Sequence, residues 1–331
     1  MPDFSELVDL AAESLGGTVI AANDEFFAPK EALLKASAPE WREGVYTERG
    51  KWMDGWETRR RRTQGFDWAI IHLGAAGIVR GVVIDTAFFR GNYPESASIE
   101  GCEVEGTPSV EVLLHSSTVW RTILPQVALA GDSRNLFATA ASGRLTHLRL
   151  NIFPDGGVAR LRVYGDVRPV HEGEGNASID LAALENGGFS MICSDMFFGH
   201  RQNLILPGRS THMGNGWETQ RRRGPGHDWT IIRLGNQGTI ERVELDTDHY
   251  KGNAPGECMI EVCRLPGANA EQLVDGALAW IPIVPKTALQ PHGRHRWAVS
   301  TVMDATHLRL NIYPDGGVAR LRAFGHRTPA P

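Results

Sequence analysis

Residues 146–165 read THLRLNIFPDGGVARLRVYG and residues 306–325 read THLRLNIYPDGGVARLRAFG, seventeen of twenty positions identical at an offset of 160. GWETRRRR at 55–62 returns as GWETQRRR at 216–223, an offset of 161. Asp67-Trp68 returns as Asp228-Trp229, Asp85-Thr86 as Asp246-Thr247, and Gly91-Asn92 as Gly252-Asn253. The openings are doubled too: DLAAESLGG at 9–17 matches DLAALENGG at 180–188, and DEFF at 24–27 answers DMFF at 195–198, both at offset 171. The offset therefore drops by ten between Phe27 and Gly55, giving the first copy a longer loop, SAPEWREGVYTERGKW at 37–52. Solenoid units run about 20–50 residues, so a repeat this long is a duplicated whole domain. With 331 residues the chain is long enough for two cores. The expected domains are 1–167 and 168–331, with the polar segment DVRPVHEGEGNA at 166–177 as the linker.

Within each copy, short runs rich in Val, Ile and Leu end in Gly, Pro, Asn or Asp. Residues 68–73, 78–84, 98–104, 147–152 and 158–164 are the clearest candidate strands. LRLNI and ARLRVY alternate apolar and polar residues with period two, as half-buried strands do. FPDGG between them carries turn chemistry and predicts a hairpin. Only the openings, 4–14 and 179–186, look helical. Thirty-seven glycines and 18 prolines fit many tight turns. The expected fold is all-β, two tandem jelly-roll or β-sandwich domains with short helices.

A net charge of −5 gives no general attraction to nucleic acid or an anionic membrane. Four cysteines without CxxC spacing indicate neither a zinc site nor a disulfide framework. The opening Met1-Pro2-Asp3-Phe4-Ser5-Glu6 carries acid where a secretory leader needs basic residues. No run approaches the roughly 20 apolar residues of a membrane helix. A soluble, cytoplasmic protein is the expectation.

The combination of DLA…GG, a DEFF-type segment, DGWETRRRR, DWAIIHLG, IDT…GN and NIFPDGGVARLR resembles the allantoicase family, over nearly the entire chain and in both copies. The resemblance implies two jelly-roll domains of the galactose-binding-like kind and hydrolysis of allantoate to ureidoglycolate and urea. It implies a small-molecule substrate, allantoate, in allantoin and purine degradation, with no nucleic-acid or membrane partner and a homo-oligomeric assembly. The copies are not equivalent: His249 stands opposite Phe88.

Allantoate is one carbon bearing a carboxylate and two ureido groups. Cleavage needs a cation for the carboxylate, for which planar Arg is best suited. It also needs an acid for the departing nitrogen and a base for water or a ureido N–H. In GWETRRRR, Glu57 is the candidate base and Arg60 the candidate clamp, with Glu218 and Arg221 as counterparts. The plainer alternative is a run of arginines alternating between solvent and structural ion pairs. Asp67 and Asp228 open strands, where capping turn amides beside a core Trp is the ordinary role. Asp228 and its neighbour His227 remain catalytic candidates through their proximity to Glu218 in sequence.

Asp85 and Asp246 end strands before Gly-Asn loops, and loops at one end of a sandwich commonly bind ligands. Asp246, His249, Lys251 and Asn253, with Arg90 and Asn92 of the first copy, are the candidate substrate contacts; Asn matches the donor and acceptor pattern of a ureido group. His200, His212, His227 and His249 all fall in the second copy without HxH or HxxxH spacing, so no metal site is evident and the cofactor is unknown. PDGGVARLR reads as structural, and Cys102 and Cys263 as small core residues. The competing function is a non-catalytic carbohydrate or small-ligand binding module, since a sandwich fold alone fixes no activity.

Overall fold

A computed structural model describes residues 4–140, 143–169, 177–299 and 304–328. The chain divides into two compact units, Met1–Pro169 and Val170–Pro331. Residues 170–176, most of the expected linker, lie outside the described residues. No helix among the described residues is long and apolar enough to cross a membrane.

Each unit is a jelly roll organised on one long strand. In the first unit it runs Asp67–Asp85, in the second Asp228–Asp246. The two runs expected at 68–73 and 78–84 are thus one strand, and GAAG between them is traversed in extended conformation. The first half of the long strand pairs with Leu145–Phe153 and Thr18–Ala22. Its second half pairs with Arg160–Val167 and Arg134–Ala138. The register shifts near the middle, between Leu145 and His147 on one neighbour and between Tyr164 and Gly165 on the other. At Gly77 a side chain has no room: an added Cβ would lie 2.2 Å from the Asp166 carbonyl oxygen. Ser96–Cys102 and Arg121–Ala128 complete the sheet on the far side of Leu145–Phe153.

This topology corrects the expected hairpin. Leu145–Phe153 and Arg160–Val167 are not paired with each other, because the long strand lies between them. Alternation and turn residues report two strands and a reversal, but not what is inserted between them. FPDGG instead crosses one end of the sandwich, and its last glycine opens the short strand Gly157–Val158. That strand pairs with Trp56–Glu57, so Gly157 stands opposite Glu57. The second unit repeats the arrangement with Trp217–Glu218 and Gly317–Val318.

The openings also differ from expectation. They form 3-10 turns at Phe4–Glu6, Glu13–Leu15 and Leu184–Asn186, with brief strands between. Apolar residues there anchor the chain end: Phe4 is buried and packs on Tyr164 at a centroid distance of 6.0 Å. The core holds Ile70, Ile71, Ile84, Leu148 and Leu150 of the central strands, all fully buried. Burying such side chains is worth about 1.5–3 kcal/mol each.

Candidate active site

Trp56 is the keystone of the local structure. It is fully buried, and its indole N–H donates to the Asp24 carbonyl at 2.8 Å, tying GWET to DEFF. Glu57 follows with its backbone held from both sides. Its N–H and C=O bond to Ala28, both at 3.2 Å, and Gly157 pairs opposite. The Gly157 N–H donates in turn to the Asn92 carbonyl at 2.7 Å. Asn92 Nδ2 donates to Glu57 Oε1 at 2.8 Å. Three segments that look independent in sequence (GWET, the Gly-Asn loop and PDGG) therefore meet at one carboxylate. Burial raises the Glu57 carboxyl above its ordinary value, and the Asn92 amide offsets part of that by bonding the charged form.

Glu57 and Asn92 lie in a cavity of about 550 Å³. Phe27, Met53 and Phe88 supply apolar wall, while Arg90 and Lys51 supply positive charge. Trp41 and Glu43 join Lys51 and Met53 from the stretch that holds the ten-residue insertion. Lys51 Nζ sits 4.1 Å from the Trp41 ring centroid, a cation–π contact, and Trp41 lies 5.8 Å from the Phe88 ring. Phe88 takes a left-handed backbone, φ 68°, which costs a non-glycine residue about 1–3 kcal/mol. Asp132 sustains it, accepting the Phe88 N–H at 2.7 Å and the Arg90 Nε–H at 2.9 Å. One carboxylate thus sets both the ring and the guanidinium of this wall.

The second unit keeps the pair: Asn253 Nδ2 donates to Glu218 Oε1 at 2.6 Å. The surroundings differ. Tyr250, where the first unit has Phe89, donates its hydroxyl to the Met213 carbonyl at 2.6 Å, and Asn253 Nδ2 lies 3.9 Å from Met213 Sδ. His249 keeps the left-handed conformation, φ 71°, with its N–H on His292 Nδ1 at 2.8 Å and its Nε2 3.1 Å from the Ser210 carbonyl. Lys251 is exposed.

The arginine run lies elsewhere. Arg59 bonds Asp24 at 2.7 Å and Arg61 bonds buried Asp67 at 2.5 Å, with exposed Arg60 between them. Arg221 lines a separate, open cavity of about 360 Å³ with Asp195, Arg222, Arg223 and Asp228. Asp228 is buried, holding Arg222 and the Ser194 hydroxyl, the latter at 3.0 Å. His227 packs at a tilt on Tyr313, ring centroids 4.6 Å apart, and bonds Asn311 Oδ1 at 3.1 Å; Phe66 packs likewise on Phe153 in the first unit. Asp246 accepts the Asp248 N–H at 2.8 Å and pairs with Arg294 at 3.3 Å, the work of a turn cap. His200 caps the turn Arg201–Ile205 through a bond from the Gln202 N–H at 3.2 Å.

The structure accordingly joins Glu57 to Asn92 and Glu218 to Asn253, and brings none of Arg60, Arg221, His227 or Asp228 to either pair. Trp41, Lys51 and Met53 were not among the sequence candidates. The ten-residue jump in repeat offset was the signal that could have found them.

With this geometry in view, the chain compares as follows. A family model described as "Allantoicase repeat" matches residues 8–168 and again 179–328. A "Probable allantoicase" of Pseudomonas aeruginosa is 48% identical, covering 97% of this chain and 96% of that protein. One from Photobacterium profundum is 45% identical, covering 98% of each. The crystal structure of allantoicase from Saccharomyces cerevisiae superposes with a TM-score of 0.82 at 38% identity, covering 97% of this chain and 94% of that one.

Proposed function

The chain belongs to the allantoicase family, and from that premise we propose that allantoate is bound and cleaved in the first-unit cavity over the Glu57–Asn92 pair. Enzymes of this family hydrolyse allantoate to ureidoglycolate and urea. The observation that carries the placement is the carboxyl of Glu57, raised by burial and aimed with Asn92 into a cavity that also holds Arg90 and Lys51.

The substrate carboxylate is drawn to Arg90 and Lys51, leaving its central carbon near Glu57. The Asn92 amide orients the Glu57 carboxylate and matches ureido groups in donor and acceptor pattern. Glu57 takes a proton from water as its oxygen bonds to the central carbon. The C–N bond to one ureido group breaks, and Glu57 returns the proton to the departing nitrogen, releasing urea. One carboxyl serving both transfers is efficient when its pKa lies closer to neutrality than a free glutamate's. The aromatic faces of Trp41 and Phe88 suit a planar ureido group.

Glu57→Gln keeps shape and the Asn92 contact but removes the proton carrier. Urea release from allantoate should fall by about 10²–10⁴-fold in kcat, with a far smaller loss in Glu218→Gln. Full activity in Glu57→Gln, or an equal loss in both variants, overturns the placement. A non-catalytic binder is disfavoured by the full-length match to named hydrolases.

Self-association is supported by Phe197 and Phe198, which are 65% and 60% exposed. Light scattering on the purified protein tests it, and a mass of one chain overturns it. A cytoplasmic location is supported by cysteines that are all free thiols.

A further inference from the structure

The two units differ most where the first carries its insertion, and the difference extends to one buried ion pair. Arg160 is 2% exposed and Asp54 7%, and Arg160 Nη2 donates to Asp54 Oδ2 at 2.5 Å. The same guanidinium reaches both ends of the inserted stretch. It donates to the Ser37 carbonyl at 3.0 Å and the Ala38 carbonyl at 3.4 Å, where the stretch begins, and to the Asp54 carbonyl at 2.9 Å, where it ends. Asp54 completes the closure by accepting the Glu40 N–H at 3.0 Å and Lys35 Nζ at 2.7 Å. Burial opposes its charge, but the bonds from Arg160 and Lys35 prevail and hold its carboxyl below the ordinary range.

The second unit supplies an internal comparison. Its buried arginine, Arg320, is retained and still bonds the carbonyls of Gly208, Asn203 and Asn215. The carboxylate is not retained: Asn215 takes the place of Asp54, with its Oδ1 2.7 Å from Arg320 Nη2. The stretch there is ten residues shorter. Insertion and carboxylate are present together in one unit and missing together in the other, as expected if the carboxylate exists to hold the longer loop.

We propose that Asp54 is a positioning residue: with buried Arg160 it clamps the base of the 37–52 loop so that Trp41, Glu43 and Lys51 wall the substrate cavity of the first unit. The proposal rests on the cavity being the allantoate site. Clamping works because a loop pinned at its base has few conformations left to lose when substrate binds. Asp54 touches no reacting atom, so its loss weakens binding and leaves proton transfer by Glu57 intact.

Asp54→Asn reproduces the second unit's chemistry, which this chain already folds around a buried arginine. It should raise KM for allantoate by at least about tenfold with kcat within about twofold. Tryptic cleavage at Arg42, Arg49 or Lys51 should become faster, while the rest of the chain stays resistant. Removing residues 41–50 shortens the loop without touching Asp54 or Arg160, and should raise KM as well, so the proposal stays testable if Asp54→Asn fails to fold. Unchanged tryptic cleavage in Asp54→Asn overturns the clamp. Faster cleavage in Asp54→Asn with KM unchanged in both variants overturns instead the cavity as the binding site. Loss of kcat at unchanged KM overturns the positioning role.

Discussion

At the scale of the residue, the proposed chemistry turns on how one carboxyl is tuned. Burial pushes the Glu57 carboxyl above its ordinary 4.5, and the Asn92 amide pulls it back by bonding the ionised form. In the proposed mechanism the ionised form is the proton acceptor, so activity should be lost as pH falls through the raised pKa. Removing the Asn92 amide removes a stabiliser of the charged form, which raises the pKa further. In Asn92→Ala the acid limb of the kcat/KM profile should therefore move to higher pH than in the natural protein. An unmoved or lowered limb would show that another group titrates. Glu57 itself was legible as a candidate because a lone carboxylate recurs beside Trp in both copies. Its partner was legible only as a separate motif, since nothing in the 35-position separation of Glu57 and Asn92 signals that they meet. Arg60 drew attention as part of a dense cationic run. Its neighbours are committed to Asp24 and Asp67, a choice that depends on where those acids lie in space.

At the scale of the element, the short strand Gly157–Val158 is the piece whose role changed most between sequence and structure. PDGGV reads as the turn of a hairpin, yet it is the backbone platform of Glu57, fixed through Gly157 and the Asn92 carbonyl. Glycine is needed there because the chain runs against Phe89: an added Cβ would lie 1.9 Å from Phe89 Cε1. Gly157→Ala should cost about 1–3 kcal/mol through overpacking and displace Glu57 with it. The check is a lowered melting temperature together with reduced urea release; a variant as stable and active as the natural protein would contradict the packing. The inserted loop belongs to the same scale. Its presence follows from aligning the chain with itself, but its role as a cavity wall depends on the Arg160–Asp54 pair, whose members stand 106 residues apart.

At the scale of the molecule, duplication multiplies the consequences of each buried group. His147 and His307 occupy matching central positions, 0% and 1% exposed, with Nδ1 on a neighbouring threonine hydroxyl and Nε2 unbonded. Burial pushes both down to about 4, below the ordinary 6.5. Above 6.5 both states are neutral and nothing is lost. As pH falls from 6.5 to about 4, the unfolded chain binds protons that the folded chain refuses, so stability declines across that window. The decline is on the order of 2–3 kcal/mol per histidine. Melting temperature should drop steadily over that range, and a His147→Gln, His307→Gln double variant should flatten the slope. An unchanged slope would assign the acid sensitivity to other groups.

What the sequence alone determined is what repeats and alternates: two like domains, strands of period two, a longer loop in one copy, and the family to which the whole belongs. Such features are local, or are self-similarities along the chain, and need no coordinates. Which strands are neighbours, the convergence of GWET, the Gly-Asn loop and PDGG on one carboxylate, and the charging of the cavity by Arg90 and Lys51 are properties of the folded chain. Those outcomes depend on contacts between residues far apart in the chain. The same residue types are compatible with several such pairings, and packing around the long strand Asp67–Asp85 selects one of them.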